Sequence, residues 1–281
     1  MSLERLSNEI LTEIVKYASI DGSISSWRNL ACVNRTLNSI AIPMLYSSFS
    51  EESRTSVPKL LRTVLANPQL ATYVRTYTGY GISNEPSPET NQLVAMLRQR
   101  KQMVEAGRLC QEGGFLDVSD LEDADFEVCR EILNWMEFDP GRIEDWMSRI
   151  CEGKWHALTS LLLILLPNLE DVEMIDYRYD EGGDMEYALG EAARLQVSGI
   201  KSELLLEHLS DISLTAFMPP DDDEPYGFGQ QQERDYLYFV DVMPFLKLPS
   251  VESVAISGLS SESGPYYGAS SLPENIDFAI L

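Results

Sequence analysis

A nine-residue pattern recurs in the second half of the chain and limits what it can become. Leu166-Pro167-Asn168-Leu169-Glu170-Asp171-Val172-Glu173-Met174 lines up with Leu248-Pro249-Ser250-Val251-Glu252-Ser253-Val254-Ala255-Ile256, 82 residues further on. A looser copy lies between them, with Leu209, Ile212 and Leu214 in the places of Leu169, Val172 and Met174, an offset of 40. The last two apolar positions alternate with polar ones, as in a strand with one buried face. Each copy therefore predicts a helix, a short loop and a strand, in an L-x-x-L-x-L pattern. Such a unit cannot bury its own apolar face, so copies must stack on one another or pack in a larger domain. Stacked copies make a parallel sheet lined by helices; unrelated copies make two helix–strand units of an α/β domain. The fold class is α/β on either account.

Such spacing resembles irregular leucine-rich repeats, which implies an α/β solenoid with inward apolar strands. The chain ends with Ile276, Phe278 and Ile280 alternating like one more strand and no polar cap. A solenoid normally needs a cap, so the natural array is expected to be longer, or the product truncated.

The N-terminal stretch has a different design. Ser7 is a good N-cap, with Glu9 in the first turn where the helix dipole favours a carboxylate. Ile10, Leu11, Ile14, Val15 and Ala18 share one face. Asp21-Gly22-Ser23 predicts a turn, and a second helix carries Trp27, Leu30, Ala31 and Val33. A third has Leu37, Ile40, Ala41, Met44 and Leu45 at helical spacing, with Pro43 expected to kink or restart it. About 40 to 50 residues lie near the lower limit for an independent core. Some of these apolar positions must face a partner or a following domain.

Leu6-Ser7-Asn8-Glu9-Ile10-Leu11, Ile14, Leu30-Ala31-Cys32-Val33-Asn34-Arg35 and Pro43-Met44-Leu45-Tyr46 together resemble an F-box, in the form common in fungal F-box proteins. The following helix from Ser56, then Asn67-Pro68 and Tyr73-Val74-Arg75-Thr76, extends the resemblance to about Thr78. Ser7 stands where the family usually has proline; it keeps the helix start and loses the fixed φ. The resemblance implies an interaction protein without catalysis or cofactor: the substrate-recruiting subunit of a cullin–RING ubiquitin ligase. Residues 1–50 would dock a Skp-type adaptor and through it the cullin. Residues 51–78 would be a linker helix and first strand, and 79–281 would recruit a protein substrate. It implies adaptor-binding roles for Leu6, Ser7, Glu9, Ile10, Ile14, Leu30, Val33, Asn34, Arg35 and Leu37, partly at the interface and partly within the module. Asn34 and Arg35 would close the second helix. A repeat scaffold acting outside any ligase is the other reading.

Further elements follow from periodicity and breakers. Val57, Leu60, Leu61, Val64 and Leu65 share a helix face that Asn67-Pro68 ends. Residues 70–78 contain a short strand, and Gly79 to Pro88 reads as a loop. Helices are expected over Thr90 to Gln111 (ended by Gly113-Gly114), behind a capping box at Ser119 and Glu122, and behind the Asp139-Pro140-Gly141 break. Trp155 to Leu166 is apolar nearly all round, as a fully buried helix would be.

Charge separates the parts. The first 50 residues are neutral, residues 51–110 carry +3, and the remainder carries −27 of the net −24. A polyanion would be repelled, which argues against nucleic acid and favours a basic protein partner. Hydrophobic and charged fractions of 44% and 23% are ordinary globular values. The longest apolar run, Leu161 to Leu166, is far short of the roughly 18 residues of a membrane span. No secretory pattern opens the chain, so cytoplasmic and/or nuclear residence is expected. Cys32, Cys110, Cys129 and Cys151 form no C-x-x-C and read as reduced, buried thiols. Asp221-Asp222-Asp223-Glu224 lacks calcium-loop spacing and reads as a solvated loop. His156 and His208 lie in no catalytic motif, and structural or surface roles are expected for both.

Overall fold

The computed structural model describes residues 6–18, 24–51, 53–80, 116–136, 138–175, 177, 183–198, 205–215, 237–257, 259–260 and 275–279. The predicted Thr90 to Gln111 helix, the Asp21 to Ser23 turn, the Asp221 to Glu224 loop, Cys110 and Ile280 lie outside them. The chain opens with helices α1 (Asn8–Ala18), α2 (Ile24–Ala31) and α3 (Arg35–Tyr46), followed by strand β1 (Ser48–Ser50). Next come α4 (Ser56–Ala66), α5 (Pro68–Ala71) and β2 (Thr76–Tyr80). Three helices then stand in a row, α6 (Asp123–Trp135), α7 (Pro140–Cys151) and α8 (Trp155–Ile164). The rest alternates: β3 (Asp171–Ile175), α9 (Asp184–Ser198), β4 (Asp211–Thr215), β5 (Leu237–Tyr238), α10 (Phe239–Leu246), β6 (Ser253–Ser257), β7 (Leu259–Ser260) and β8 (Asn275–Ala279).

The main sheet has the order β1-β2-β3-β4-β6-β8, with the first five strands parallel and β8 antiparallel on β6. A separate pair joins β5 to β7. The molecule is mixed α/β, in agreement with the sequence. Chain order equals sheet order for the five parallel strands, because each helical crossover returns the chain to the adjacent position.

One hydrogen-bond arrangement repeats at the start of these strands. The Ser47 carbonyl accepts from Arg75 N and Thr76 N (2.8 and 3.1 Å), and the Arg75 carbonyl from Glu170 N and Asp171 N (2.7 and 3.0 Å). The Glu170 carbonyl accepts from Ser210 N and Asp211 N, and the Ser210 carbonyl from Glu252 N and Ser253 N. Just before each, a tight turn closes from Val74 N to Ala71 O, Leu169 N to Leu166 O, Leu209 N to Leu206 O, and Val251 N to Leu248 O. The pattern therefore has a fourth member at Ala71 to Gly79, hidden because its apolar positions are Ala71, Val74, Tyr77 and Gly79. Asn168 Nδ2 donates to Thr72 O at 2.7 Å and Ser250 Oγ to Leu206 O at 3.0 Å, so the third residue of two copies ties each to the copy before it.

Val172, Met174, Ile212, Leu214, Val254 and Ile256 point to one side of the sheet and are buried with the all-buried helix α8, as its near-uniform apolarity predicts. Gly79 takes the place of Met174 in the register. A Cβ there would lie 2.7 Å from Tyr77 Cε1 and 3.2 Å from Trp155 Cζ2, so two large aromatics occupy the volume that a smaller strand residue fills elsewhere. β2 includes Gly79 and Tyr80, which corrects the loop expected from Gly79 onward.

Other expectations also change. Pro43 sits inside a continuous α3, with no restart. Asn34 is the N-cap of α3, accepting from Leu37 N at 2.8 Å, and Arg35 is its first residue, so they open the third helix rather than close the second. Val33 lies in the turn beyond α2. The N-terminal box before α6 is built from Glu122 and Asp125, with Glu122 N donating to Asp125 Oδ2 at 2.8 Å, and not from Ser119 and Glu122. Asp139 caps α7, with Pro140 as its first residue. α4 does end at Ala66 with Asn67 as its C-cap, as Asn67-Pro68 predicts, and Pro68 then opens a separate short α5 that the sequence did not suggest. Cys129 is buried, whereas Cys32 and Cys151 are exposed, so only one of these three thiols is a core residue.

Candidate functional site

The first candidate surface is the α1–α3 module. Its core holds Leu11, Val15, Leu37 and Ala41, apart from the larger core of the body. Leu6, Trp27, Leu30, Ile40 and Met44 pack partly against it, and α2 contributes no buried residue. Ile10 is 50% exposed and Val33 61%, with Tyr17 and Ile24 exposed as well. Buried nearby, the Trp27 indole N–H has no hydrogen-bond partner among the described residues, a defect worth about 1–3 kcal/mol. The module is small and leaves much of its apolar surface uncovered.

The ten residues singled out in this module fall into three groups. Ile10 and Val33 are exposed, while Leu6, Ile14 and Leu30 are half-buried, so all five retain surface. Leu37 is 3% exposed and is a core residue, without a side-chain face to offer. Ser7, Glu9, Asn34 and Arg35 mark helix starts. Ser7 O accepts from Leu11 N, and the Glu9 carboxyl is held below its ordinary value by the Ser7 side chain and its own backbone N–H.

The module is joined to the body without a loose linker. α3 runs to Tyr46, Ser47 Oγ donates to the Met44 carbonyl at 2.8 Å, and β1 begins at Ser48 as the first strand of the sheet. Tyr46 packs against the body core, and Phe49 stacks on Tyr77 with centroids 5.7 Å apart. The sheet thus starts inside the 1–50 segment, before the strand expected in residues 70–78. Directly after β1, Glu51 is only 6% exposed. Its carboxylate accepts from Trp155 Nε1 (3.0 and 2.9 Å to the two oxygens) and from the Tyr77 hydroxyl. Burial pushes the Tyr77 phenol well above its ordinary value, with the Glu51 charge adding to it.

Searches against family models, curated proteins and solved structures find no match for this chain. The geometry has to speak for itself.

The second candidate surface is the outer side of the main sheet. Its first cross-strand row is Ser48, Thr76, Asp171, Asp211 and Ser253, set by the register. The second row is Ser50, Thr78, Glu173, Ser213 and Ala255. None of these ten residues is buried. Parallel sheets are normally covered on both faces; here Ser48, Ser50, Asp171, Glu173 and Asp211 are exposed and the other five half-buried, so the described residues leave this side uncovered. At its rim Arg75 Nη1 meets Glu170 Oε1 at 2.8 Å. Asp171 and Asp211 stand directly opposite in neighbouring strands. Partial burial raises the Asp171 carboxyl above its ordinary value, and the charges of Asp211 and Glu170 raise it further.

A third cluster is structural. Asp184, fully buried at the start of α9, is held by Arg149 through Nε and Nη2 (2.7 and 2.5 Å), with Arg142 at 3.5 Å and stacked over Tyr187. It pins α9 to α7. The two histidines lie in different surroundings. His156 lies buried between Trp155 and Tyr177 in edge contacts, and His208 is exposed, 3.5 Å from Glu207. Among the described residues no group of three or more His, Cys, Asp or Glu is placed to hold a metal ion. No helix among them is long and apolar enough to cross a membrane.

Proposed function

We propose that this chain is an F-box protein, the substrate-recruiting subunit of a Skp–cullin-type ubiquitin ligase, with a repeat body that holds the substrate. The observation that carries this reading is the structural contrast between its two parts. A small module with its own core leaves Ile10 and Val33 in solvent, and it is spliced without slack into a sheet whose far side is open. Leu6, Ile10, Ile14, Leu30 and Val33 would meet the adaptor, and Asn34 and Arg35 would frame that contact from the start of α3. The fourfold hydrogen-bond arrangement at the strand starts supports an irregular leucine-rich-repeat solenoid as the body. The chain itself would do no chemistry. Holding an acceptor lysine at fixed distance from the ligase's catalytic arm raises its effective concentration, and that is sufficient.

Co-purification with a Skp-type adaptor tests the assignment. The full chain should bring down adaptor and cullin, and Ile10→Asp should abolish this by placing a carboxylate in an apolar contact. A wild-type chain that captures neither would leave the ligase-independent scaffold.

A further inference from the structure

We infer that the open side of the sheet, over β3, β4 and the start of β6, docks an extended polypeptide segment carrying lysine or arginine side chains. This deepens the proposed function and rests on its reading of the body as the recruiting surface, independently of the adaptor.

Three features combine there. The carboxylates stand among small residues, because the other positions of these two rows carry only Ser, Thr or Ala, and the first bulky neighbour on β3 is Ile175 in the row beyond Glu173. Its charge is one-sided: among the described residues no cation lies within ion-pair distance of Asp171, Glu173, Asp211 or Glu252, and the nearby Arg75 is engaged by Glu170. It also holds a conflict the fold does not need. Like charges directly opposite on neighbouring strands are destabilising, and Asp171 and Asp211 occupy that relation. Local conflicts of this kind are retained where they serve a site.

The carboxylates are also oriented. Ser210 Oγ donates to Asp211 Oδ2 at 2.6 Å, and Thr78 Oγ1 to Glu173 Oε2 at 3.3 Å. These hydroxyls fix the acceptors without neutralising them. Asp171 and Glu173 are two positions apart on one strand, about 6.6 Å, and Asp211 is one strand over, about 4.8 Å. An extended segment with a basic residue at every second position repeats at the first of these distances. A metal ion is the weaker occupant, since no cluster of described residues has the arrangement to ligate one. A nucleic acid has the wrong sign.

The test is fluorescence polarisation with the full chain and a labelled (Lys-Ser)5 peptide, with (Glu-Ser)5 as the control probe. The Asp171→Asn/Asp211→Asn variant should bind (Lys-Ser)5 about tenfold more weakly. Glu127→Gln/Glu131→Gln on α6 removes the same charge elsewhere and should change affinity less than twofold. The first variant should also melt at or above the wild-type temperature, because the opposed pair is relieved. Equal weakening in both variants would mean that net charge alone attracts the peptide and would overturn the inference, as would a lower melting temperature or no binding. Binding that appears only after Arg98, Arg100 and Lys101 are changed to Gln would assign the face to this chain's own basic run, and would also overturn it. No adaptor is present in the measurement, so its failure leaves the adaptor test untouched.

Discussion

The indole N–H of Trp155 reaches both carboxylate oxygens of Glu51 across 104 residues of chain. It joins the last turn of the N-terminal region to the most buried helix of the body. Glu51→Gln keeps the side chain's size but turns one acceptor into a donor facing the Trp155 N–H and the Tyr77 hydroxyl. Stability should fall by about 1–3 kcal/mol, read as a lower midpoint in thermal or urea unfolding. An unchanged midpoint would show that this network does not hold the junction.

Two glycines should resist substitution for different reasons. At Gly79 an added Cβ meets the buried rings of Tyr77 and Trp155, and overpacking of this kind costs about 1–3 kcal/mol. At Gly153 the backbone has φ +76°, and a Cβ would lie 2.3 Å from the Leu116 carbonyl oxygen. Gly153→Ala should cost about 2 kcal/mol or more. Gly190, with open space around it, is the control, and Gly190→Ala should raise helix stability slightly.

Ile10 and Leu37 should separate docking from folding. Ile10→Asp replaces a half-exposed side chain, so the far-UV spectrum and melting curve should stay near wild type while adaptor capture is lost. Leu37→Asp buries a charge in the four-residue core of the module and should unfold it at the outset. Equal folding of both variants would contradict the placement of Leu37.

Acid should relieve the opposed carboxylates. The folded-state pKa of Asp171 is raised, so the folded chain holds its proton more tightly than the unfolded chain does. Its ionisation therefore costs stability above that raised pKa, and the cost disappears as pH falls through it. Asp171→Asn should be more stable than wild type at pH 7 by a few tenths of a kcal/mol. The gap should close as the pH drops below the ordinary aspartate range. A variant less stable than wild type at pH 7 would reverse the sign.

Thiol chemistry should divide the described cysteines. Burial, Asp125 and Cys151 push the Cys129 thiol up to about 12, while Cys32 and Cys151 are exposed. Iodoacetamide at pH 8 should modify Cys32 and Cys151 in the folded chain and reach Cys129 only after unfolding, as read by peptide mass spectrometry. Fast labelling of Cys129 in the folded chain would contradict its burial.

Much of the architecture was legible in the residues. Apolar residues at 169, 172 and 174 and their later counterparts announce a strand with one buried side, since alternation reports burial directly. The near-uniform apolarity of Trp155 to Leu166, interrupted only by His156, Thr159 and Ser160, announces a helix with no solvent face. β1 was not legible: Ser-Phe-Ser carries no periodicity, and it is a strand only because β2 lies beside it. The fourth copy of the repeat was hidden by Tyr77 and Gly79, whose joint volume, not their individual types, satisfies the core. Ile10 and Leu37 looked alike as apolar helix positions, and only the packing of α1 on α3 put one outside and the other within.

The residues alone therefore determined the α/β class, the helix–strand units and the amphipathic helices at the N-terminus, because hydrophobic spacing is a local property of the chain. Tertiary structure decided where Glu51 is buried, which module side chains remain exposed, and that Asp171 and Asp211 face each other. Those depend on contacts between residues tens to a hundred positions apart, which no local pattern encodes. The N-terminal helices run on through β1 into the sheet, with Ile10 and Val33 left in solvent.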